Sequence, residues 1–480
     1  MEAFAGMFRK ATFLNLFKGV KLPNGGPSLS HLLYADDALV LGDWSLDNVK
    51  TVNRLFTVFN ICSGLKINFS KSNLFGLGVV NKEVEAMAKV LGCKMGNTLF
   101  VYLGVKVGAN MNRISNWDPV VQVVRNRLSK WKASVLSIGG RATLIKSVLE
   151  SIPTYYFSLF KAPAKVIANL ESMIKNFLWE GDGTNKKIHW VAWLDVTRPK
   201  KQGGLGLPRL EWCNKSLLSK WIWRYREERN ALWRSVLEAI HGSSRQWEAI
   251  PSNARLASNW NSLVRLEKQW KLGGQRISER IKGVIGDGKD VRFWLDIWVG
   301  LEPLKNTFPL LFMLESEKKC RVADRILAST DRGQFCWKWK RMPRTAEEVQ
   351  QLVDCCRILN QIRLRAGRDS WLWLGHGSDT FSVAAVKKIV IQEEVQPTEV
   401  FFKWCKWVPR WRSKDEIFWW KSKDAVFVES LRRRWTTFLQ NAGWRGKFGT
   451  LFRIGGKSLL YTLSRFGTYW LFTSTPKFPE

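Results

Sequence analysis

Two adjacent carboxylates, Asp36 and Asp37, are the side chains of this sequence best suited to chemistry. They interrupt an apolar run, residues 31–41 (HLLYADDALVL), whose pattern predicts a strand, a tight turn and a second strand. Adjacent like charges repel each other unless a cation lies between them, so the pair indicates a metal site. Mg²⁺ binds such oxygen ligands, and a pair of these ions supports nucleotidyl transfer. Because Asp is also a common turn residue, an ordinary turn is the simpler interpretation of the pair taken alone.

The segments around this hairpin predict a mixed unit of helices and strands that positions it. Residues 45–62 repeat apolar side chains three and four positions apart, which predicts a helix, and the Ser-Gly pair that follows ends it. Residues 66–69 and 100–107 predict short strands. Residues 1–17 are basic and amphipathic, but Glu2 and the scarcity of serine favour an interior helix over a transit peptide.

Residues 111–226 change to a helical pattern with three apolar faces. This segment holds 20 Lys or Arg residues and 7 Asp or Glu residues. Charges on amphipathic helices often form only a solvated face, whereas an excess of one sign favours a surface that binds a nucleic-acid duplex. The densest basic cluster, which we predict to contact nucleic acid, consists of Arg125, Arg127, Lys130, Lys132, Arg141 and Lys146.

The chain after residue 226 predicts small β units between polar segments that contain tryptophan. Residues 284–298 (VIGDGKDVRFWLDIW) predict a hairpin that turns at residues 286–288. Residues 369–383 predict a similar unit.

The composition predicts polyanionic partners. Lys and Arg number 76 against 41 Asp and Glu, which gives a net charge of +35 and a sequence pI near 10.1. Such cations bind phosphates through counterion release, and the 27 Trp and 27 Phe side chains offer flat faces on which unpaired bases could stack. Burial in a core is the commoner role of large aromatic rings, and we expect most tryptophans there.

The cysteines and histidines predict neither a disulfide framework nor a zinc site. The eight cysteines form no CxxC pair, and the four histidines are isolated in the sequence. This use of cysteine fits a reducing compartment, either nuclear or cytoplasmic. The sequence has no apolar stretch of about 18 uncharged residues, so we expect no membrane-spanning helix and no membrane partner.

Three blocks in succession resemble the palm motifs C, D and E of reverse transcriptases from plant LINE-type (non-LTR) retrotransposons. They are residues 32–42 (LLYADDALVLG), 64–72 (GLKINFSKS) and 102–104 (YLG), in that order. Segments similar to the thumb and connector of the same family follow at residues 128–131 (LSKW), 139–147 (GGRATLIKS), 152–155 (IPTY), 177–181 (FLWEG), 189–190 (HW), 203–208 (GGLGLP), 286–298 and 406–409 (KWVP). The resemblance therefore spans residues 1–425.

This resemblance implies an RNA-directed DNA polymerase that performs two-metal nucleotidyl transfer on an RNA template and an RNA/DNA duplex. It implies that Asp36 and Asp37 are the catalytic, Mg²⁺-binding residues, with Asp36 the more critical of the two. The remaining implied site residues are Tyr102, Leu103 and Gly104 as the primer grip, and Lys66 and Lys71 as either pyrophosphate contacts or solvated lysines.

The sequence departs from the family on both sides of this resemblance. The family's palm supplies a further metal-binding Asp upstream of the YADD hairpin, and its fingers lie earlier still; neither precedes Asp36 here. Phosphoryl transfer depends on positioning and charge stabilisation, so we expect no polymerase activity unless another chain supplies the missing palm and fingers. After residue 425 the family's Cys- and His-rich segment is absent, which predicts a shifted reading frame and a disordered tail.

The fold class expected from these observations is α+β. We predict an incomplete palm at residues 1–110, a helical thumb-like domain at 111–226, a connector with helices and small β units at 227–425, and a divergent tail at 426–480. Three functions remain open: a polymerase fragment, a non-catalytic protein that binds RNA or an RNA/DNA duplex, and a transposon relic without a selected function.

Overall fold

The computed structural model describes the chain at residues 1–97, 99–130, 136–179, 191–242, 250–253, 255–327, 334–375 and 379–394. All of these segments belong to one compact unit, residues 1–398. The domain boundaries predicted at residues 110 and 226 stay predictions. The frame shift and the disordered tail predicted after residue 425 lie outside the described residues.

Short helices and paired strands alternate from residue 1 to residue 107. The helices are α1 (Glu2–Phe13), α2 (Leu46–Ser63) and α3 (Asn81–Leu91). The strands pair as β1 (Val20–Lys21) with β2 (Ser28–Leu29), β3 (His31–Tyr34) with β4 (Asp37–Val40), β5 (Asn73–Leu74) with β6 (Lys94–Met95), and β7 (Phe100–Tyr102) with β8 (Val105–Val107). The β5–β6 pair is parallel and the other three pairs are antiparallel.

Helix α1 buries one face in the core, as its amphipathic pattern predicts. Phe4 and Phe8 are 1% and 0% exposed, and the ring of Phe4 lies 5.0 Å from that of Phe59 in α2. Helix α2 begins where the Ser45 side chain accepts a backbone N–H of the first turn, and it ends at Gly64 with φ of 72°. The predicted helix at residues 45–62 and its predicted end are therefore confirmed.

Residues 111–227 are mainly helical, as the sequence predicts. The helices are α4 (Asp118–Lys130), α5 (Ile138–Leu144), α6 (Thr154–Leu159), α7 (Ala164–Trp179), α8 (Trp193–Thr197) and α9 (Leu210–Glu227), with 3₁₀ turns at Ile114–Trp117 and Lys200–Gln202. Helix α5 continues into a π-helical turn, Ile145–Leu149. Such turns are rare and often occur at functional sites.

The remaining described residues alternate helices with small sheets. The helices are α10 (Leu232–His241), α11 (Asn259–Gln269), α12 (Leu304–Thr307), α13 (Pro309–Leu314), α14 (Ala346–Leu359) and α15 (Val383–Glu394), with 3₁₀ turns at Ile277–Arg280 and Val322–Asp324. The antiparallel strand pairs are β9 (Lys271–Leu272) with β10 (Gln275–Arg276), β11 (Ile281–Val284) with β14 (Ser370–Trp373), and β12 (Ile326–Leu327) with β13 (Gln334–Phe335).

The predicted hairpin at residues 284–298 is wrong, whereas the segment predicted as a small β unit at residues 369–383 contributes strand β14. Strand β11 pairs with β14, and Ile281 lies opposite Trp373 in this sheet. Among the described residues of this second segment, the Trp373 N–H donates to the Asp379 carbonyl at 2.8 Å, and α15 begins at Val383. Strand β11 ends at Val284, where the predicted hairpin begins, so β14 pairs with residues that lie almost entirely before that hairpin.

The carboxylate of Asp369 explains why the loop after β11 does not turn back as a hairpin. Its Oδ1 accepts the backbone N–H groups of Gly286 and Gly288 at 2.7 and 2.9 Å. Its Oδ2 accepts those of Asp290 and Val291 at 2.7 and 3.0 Å. Amides bound to this carboxylate are not available for the ladder of a local hairpin.

The strand predicted at residues 66–69 is also wrong, because these residues form a loop. The side chain of Asn68 accepts the Ser70 hydroxyl and the backbone N–H of Lys71. The Asn68 carbonyl accepts the Ser72 hydroxyl at 2.8 Å. Local bonds from an asparagine side chain compete with a strand and favour a turn.

Tryptophans contribute to the core, as expected. Trp117, Trp294 and Trp373 are at most 1% exposed, and no described tryptophan is among the exposed large hydrophobic side chains. The largest core cluster joins α9, α11, the β11–β14 sheet and α15. Helices combined with small sheets are compatible with the predicted α+β class. Within the described segments, no helix has both the length and the apolar character needed to cross a bilayer.

Candidate metal and nucleic-acid site

The carboxylates Asp36 and Asp37 lie at the tip of the β3–β4 hairpin, and the predicted strand, turn and strand are confirmed. Tyr34 pairs with Asp37, so Ala35 and Asp36 form a two-residue turn. Ala35 has φ of 46°, in the left-handed region that a residue with a side chain adopts at a cost. Both carboxylate residues are exposed. The turn therefore presents them to solvent.

The two carboxylates are available to bind a cation. Within the part of the chain that is described, neither the Asp36 nor the Asp37 carboxylate forms a hydrogen bond or an ion pair. The same part of the chain contains no group of three or more His, Cys, Asp or Glu residues that could hold a metal. Mg²⁺ retains several waters and is commonly held by only one or two protein carboxylates. The pair therefore fits Mg²⁺ as two of its ligands.

The YLG motif forms the β7–β8 turn within electrostatic range of this hairpin. Tyr102 pairs with Val105, and Leu103 and Gly104 occupy the turn with φ of 49° and 77°. Burial raises the pKa of the Tyr102 phenol, and the negative charge of Asp37 raises it further. Two motifs that are distant in sequence thus act on each other in the folded chain.

Two tyrosines that the sequence reasoning did not select bind the YLG turn. The Tyr155 hydroxyl donates to the carbonyl oxygen of Leu103 at 2.9 Å, and the Tyr156 hydroxyl donates to that of Gly104 at 2.8 Å. Both tyrosines lie in α6. The sequence signal that could have found them is the IPTY block, which ends at Tyr155.

Helix α6 is held to α9 by a buried asparagine, which the sequence reasoning also missed. Asn214 is 2% exposed, and its Nδ2 donates to the carbonyls of Phe157 and Phe160 at 2.9 and 2.8 Å. Its Oδ1 accepts the backbone N–H of Ala162 at 3.0 Å. These bonds satisfy backbone groups at the C-terminal end of α6 that lack partners within the helix. They fix the helix that carries the two tyrosines.

The two lysines of the GLKINFSKS block are exposed and lie in the loop after α2. Lys71 belongs to the turn around Asn68, and Lys66 precedes that turn. Neither ammonium group forms an ion pair within the described segments. Their predicted contact with pyrophosphate stays a prediction.

The predicted nucleic-acid contacts differ in their surroundings. Arg125 and Arg127 are exposed on α4, whereas the side chain of Lys130 and all of Lys132 lie outside the described residues. Arg141 donates to two backbone carbonyls, at 3.2 and 3.0 Å, one just before α5 and one at the end of α7. Arg141 thus joins two helices, while Arg125 and Arg127 face solvent.

Lys146 lies in the π-helical turn beside the GGLGLP block. A Cβ atom built on Gly206 would lie 3.3 Å from the Lys146 ammonium nitrogen, so the glycine leaves room for the lysine. Burial lowers the pKa of Lys146, and the positive charge of Lys200 lowers it further. The fold thus brings two exposed lysines from separate sequence blocks close to each other.

No family model matches the chain, but the chain is similar to several curated proteins. A protein of Arabidopsis thaliana named for ribonuclease H is 29% identical over 324 residues, which are 66% of this chain and 49% of that protein. An uncharacterized mitochondrial protein of Arabidopsis thaliana is 27% identical over 150 residues, which are 31% of this chain and 93% of that protein.

A third relative comes from a transposon. The uncharacterized 149 kDa protein of transposon TX1 from Xenopus laevis is 29% identical over 178 residues, which are 36% of this chain and 13% of that protein. The chain spans about half of the length of the first relative. Together these similarities are consistent with a retrotransposon-derived protein.

Proposed function

We propose that the chain is the C-terminal part of a reverse transcriptase from a plant LINE-type retrotransposon. The observation that carries this proposal is the β3–β4 hairpin, which presents the exposed residues Asp36 and Asp37 at its tip. The YLG block, the third in the same order, forms a second two-residue hairpin turn. The similarity to a transposon protein supports the same assignment.

In this proposal Asp36 and Asp37 hold Mg²⁺, and the turn at residues 102–104 contacts the primer strand. When bound, Mg²⁺ would activate the primer hydroxyl and stabilise the leaving pyrophosphate. The exposure of both carboxylates and their lack of cation partners among the described residues support this role. Lys66 and Lys71 remain the candidates for contacting the pyrophosphate, since both are exposed.

The template and the RNA/DNA duplex are proposed to lie along the basic helices. Arg125 and Arg127 project from α4 into solvent, and Lys146 lies near Lys200. Residues 111–226 carry 20 basic and 7 acidic side chains, an excess that favours phosphate binding through counterion release. This excess also favours a second candidate function, a non-catalytic protein that binds RNA or an RNA/DNA duplex.

We further propose that this chain binds a primed template but does not extend the primer alone. Phosphoryl transfer depends on the positioning of every reactant, and the resemblance implies a further metal-binding Asp in the palm and separate fingers that hold the nucleotide. A second chain that carries these residues would complete the site. In support, β3 and β4 pair only with each other among the described strands, and none of residues 31–40 is buried.

The test is primed incorporation of deoxynucleotides on an RNA template with Mg²⁺. The parent chain is compared with Asp36→Asn/Asp37→Asn, and the control Glu83→Gln/Glu85→Gln removes the same charge from exposed positions of α3. We expect no incorporation by any of the three. Incorporation that disappears only in the Asp36/Asp37 variant would overturn the inactivity and support the polymerase assignment.

Two binding measurements separate the remaining functions. Electron paramagnetic resonance should detect Mn²⁺ binding in the parent and the Glu83/Glu85 control but not in the Asp36/Asp37 variant; equal binding by all three would contradict the metal site. Affinity for an RNA/DNA duplex should exceed that for single-stranded RNA and fall steeply with salt. A shallow salt dependence without a preference for the duplex would indicate non-specific binding by a transposon relic.

A further inference from the structure

The turn between β7 and β8 has a backbone conformation that its sequence does not favour. Leu103 and Gly104 have φ of 49° and 77°, and two successive positive φ angles are the pattern of a type I′ turn. Asn-Gly is the preferred pair there, whereas the Cβ of leucine makes the left-handed region unfavourable. Such a conformation persists where the surrounding structure holds it.

The hydroxyls of Tyr155 and Tyr156 contact this turn. They donate to the two consecutive turn carbonyls, of Leu103 and Gly104, at 2.9 and 2.8 Å. The planes of the two tyrosine rings are nearly perpendicular, at 89°. These adjacent residues of one helix therefore point in different directions and bind different carbonyls of the turn. The ring of Tyr156 also lies 5.8 Å from that of Trp117, which is 0% exposed.

Helix α6, which carries the two tyrosines, is anchored to α9. The three hydrogen bonds of buried Asn214 tie the end of α6 to α9, and the Trp221 indole donates to the carbonyl of Ser158 at 2.6 Å. A turn bound to a fixed helix cannot shift without losing both hydroxyl bonds. Any such shift would also move Tyr102, the residue that directly precedes the turn.

We infer that Tyr155 and Tyr156 are positioning residues that keep the YLG turn in its left-handed conformation and thereby set its place relative to Asp37. This inference rests on the proposed function, in which the turn contacts the primer strand. The two hydroxyls then couple the thumb-like helix α6 to the primer-contacting turn. They determine whether the primer end of an RNA/DNA duplex is held at the carboxylates.

Hydrogen exchange tests the clamp without reference to the proposed function. The variants are Tyr155→Phe, Tyr156→Phe and the double variant. The matched control is Tyr225→Phe, which removes a hydroxyl bond to Glu238 of 2.8 Å in another part of the core. Each lost hydroxyl bond should accelerate exchange at residues 102–105 about fivefold, and the double variant about 25-fold. Exchange that matches the control would overturn the inference.

A rescue variant distinguishes strain in the turn from a general loss of packing. Leu103→Asn supplies the residue that a type I′ turn prefers, so it should restore slow exchange at residues 102–105 in the double tyrosine variant. A general loosening of α6 would not respond to this change. Failure of the rescue would show that the hydroxyls do not act through the conformation of residue 103.

Primer binding tests the functional part of the inference. The double tyrosine variant should lose about tenfold in affinity for a primed RNA/DNA template, a change of about 1.4 kcal/mol, while its affinity for unprimed RNA stays within about twofold. Equal losses on both would contradict a positioning role. If the parent itself shows no preference for the primed template, the proposed function fails, and the exchange experiment alone still decides whether the clamp exists.

Discussion

Replacing Asn214 with alanine should weaken the fold at the junction between α6 and α9. The side chain is 2% exposed and forms three hydrogen bonds of 2.8–3.0 Å, with the backbone of Phe157, Phe160 and Ala162. Each bond stabilises by about 1 kcal/mol, and each buried backbone group left without a partner costs about 1–3 kcal/mol. Allowing for partial hydration of the cavity, we expect the free energy of unfolding to fall by about 3–5 kcal/mol.

Urea unfolding followed by tryptophan fluorescence measures this loss. The control is Asn126→Ala on the exposed surface of α4, which should change the free energy of unfolding by less than about 0.5 kcal/mol. Hydrogen exchange should also increase at residues 154–160 in Asn214→Ala. A loss below about 1 kcal/mol with unchanged exchange in α6 would refute the reasoning, because water would then replace all three bonds.

The isosteric variant Asn214→Asp adds a test in pH. Two carbonyl oxygens, of Phe157 and Phe160, face the position of the asparagine Nδ2, so a carboxylate there is buried and repelled. Both effects raise the pKa of the new carboxyl group above its value in the unfolded chain. A raised folded-state pKa gives stability that is present at acidic pH and lost as pH rises. The deficit relative to the parent should therefore grow from about pH 5 to pH 8, and a constant deficit would contradict the geometry.

Three further predictions concern charged groups and thiols. A hydrogen bond from the Arg341 side chain, together with hydrogen bonds from the backbone N–H groups of Arg344 and Thr345, lowers the pKa of Glu348 to about 2. A group with a lowered folded-state pKa stabilises the protein at pH values above its unfolded-state pKa, and this stabilisation is lost on acidification. Glu348→Gln should therefore flatten the pH dependence of the urea midpoint between about pH 5 and pH 2. An unchanged profile would argue against this interaction. Burial raises the pKa of Cys320 to about 12, so iodoacetamide should modify it far more slowly than exposed Cys62, as measured by peptide mass spectrometry. Equal rates would contradict the burial. Lys146→Ala should reduce the slope of log affinity against log salt for an RNA/DNA duplex by about 0.9, and an unchanged slope would place Lys146 outside the interface.

The sequence predicted the elements whose signals are local. An apolar run interrupted by Asp36 and Asp37 was enough to predict the β3–β4 hairpin, and the order of Ser45, apolar repeats and Gly64 predicted both ends of α2. The helical character of residues 111–226 followed from periodicity in the same way. In each case the residues that form the element are neighbours in the chain. Their preferences therefore agree with the fold before any distant contact forms.

Strand pairing at long range was not predictable from these signals. Residues 284–298 have the local pattern of a complete hairpin, and nothing local indicates that the strand ending at Val284 pairs with residues 370–373 instead. The deciding group is Asp369, whose carboxylate binds four amides of the other segment. At residues 66–69, the side chain of Asn68 outweighed a weak strand preference.

The sequence by itself determined the carboxylate pair and the order of the motifs, because adjacent charges in an apolar run are visible without a structure. Only the tertiary structure decided which groups act on them. The Asp37 charge acts on Tyr102, and hydroxyls of Tyr155 and Tyr156 bind the turn that follows Tyr102. These contacts join segments that are far apart in the chain, and a side-chain hydroxyl carries no mark of the carbonyl that it will meet. Their existence depends on how α6 packs on α9, which Asn214 fixes through bonds that form only when both helices are in place.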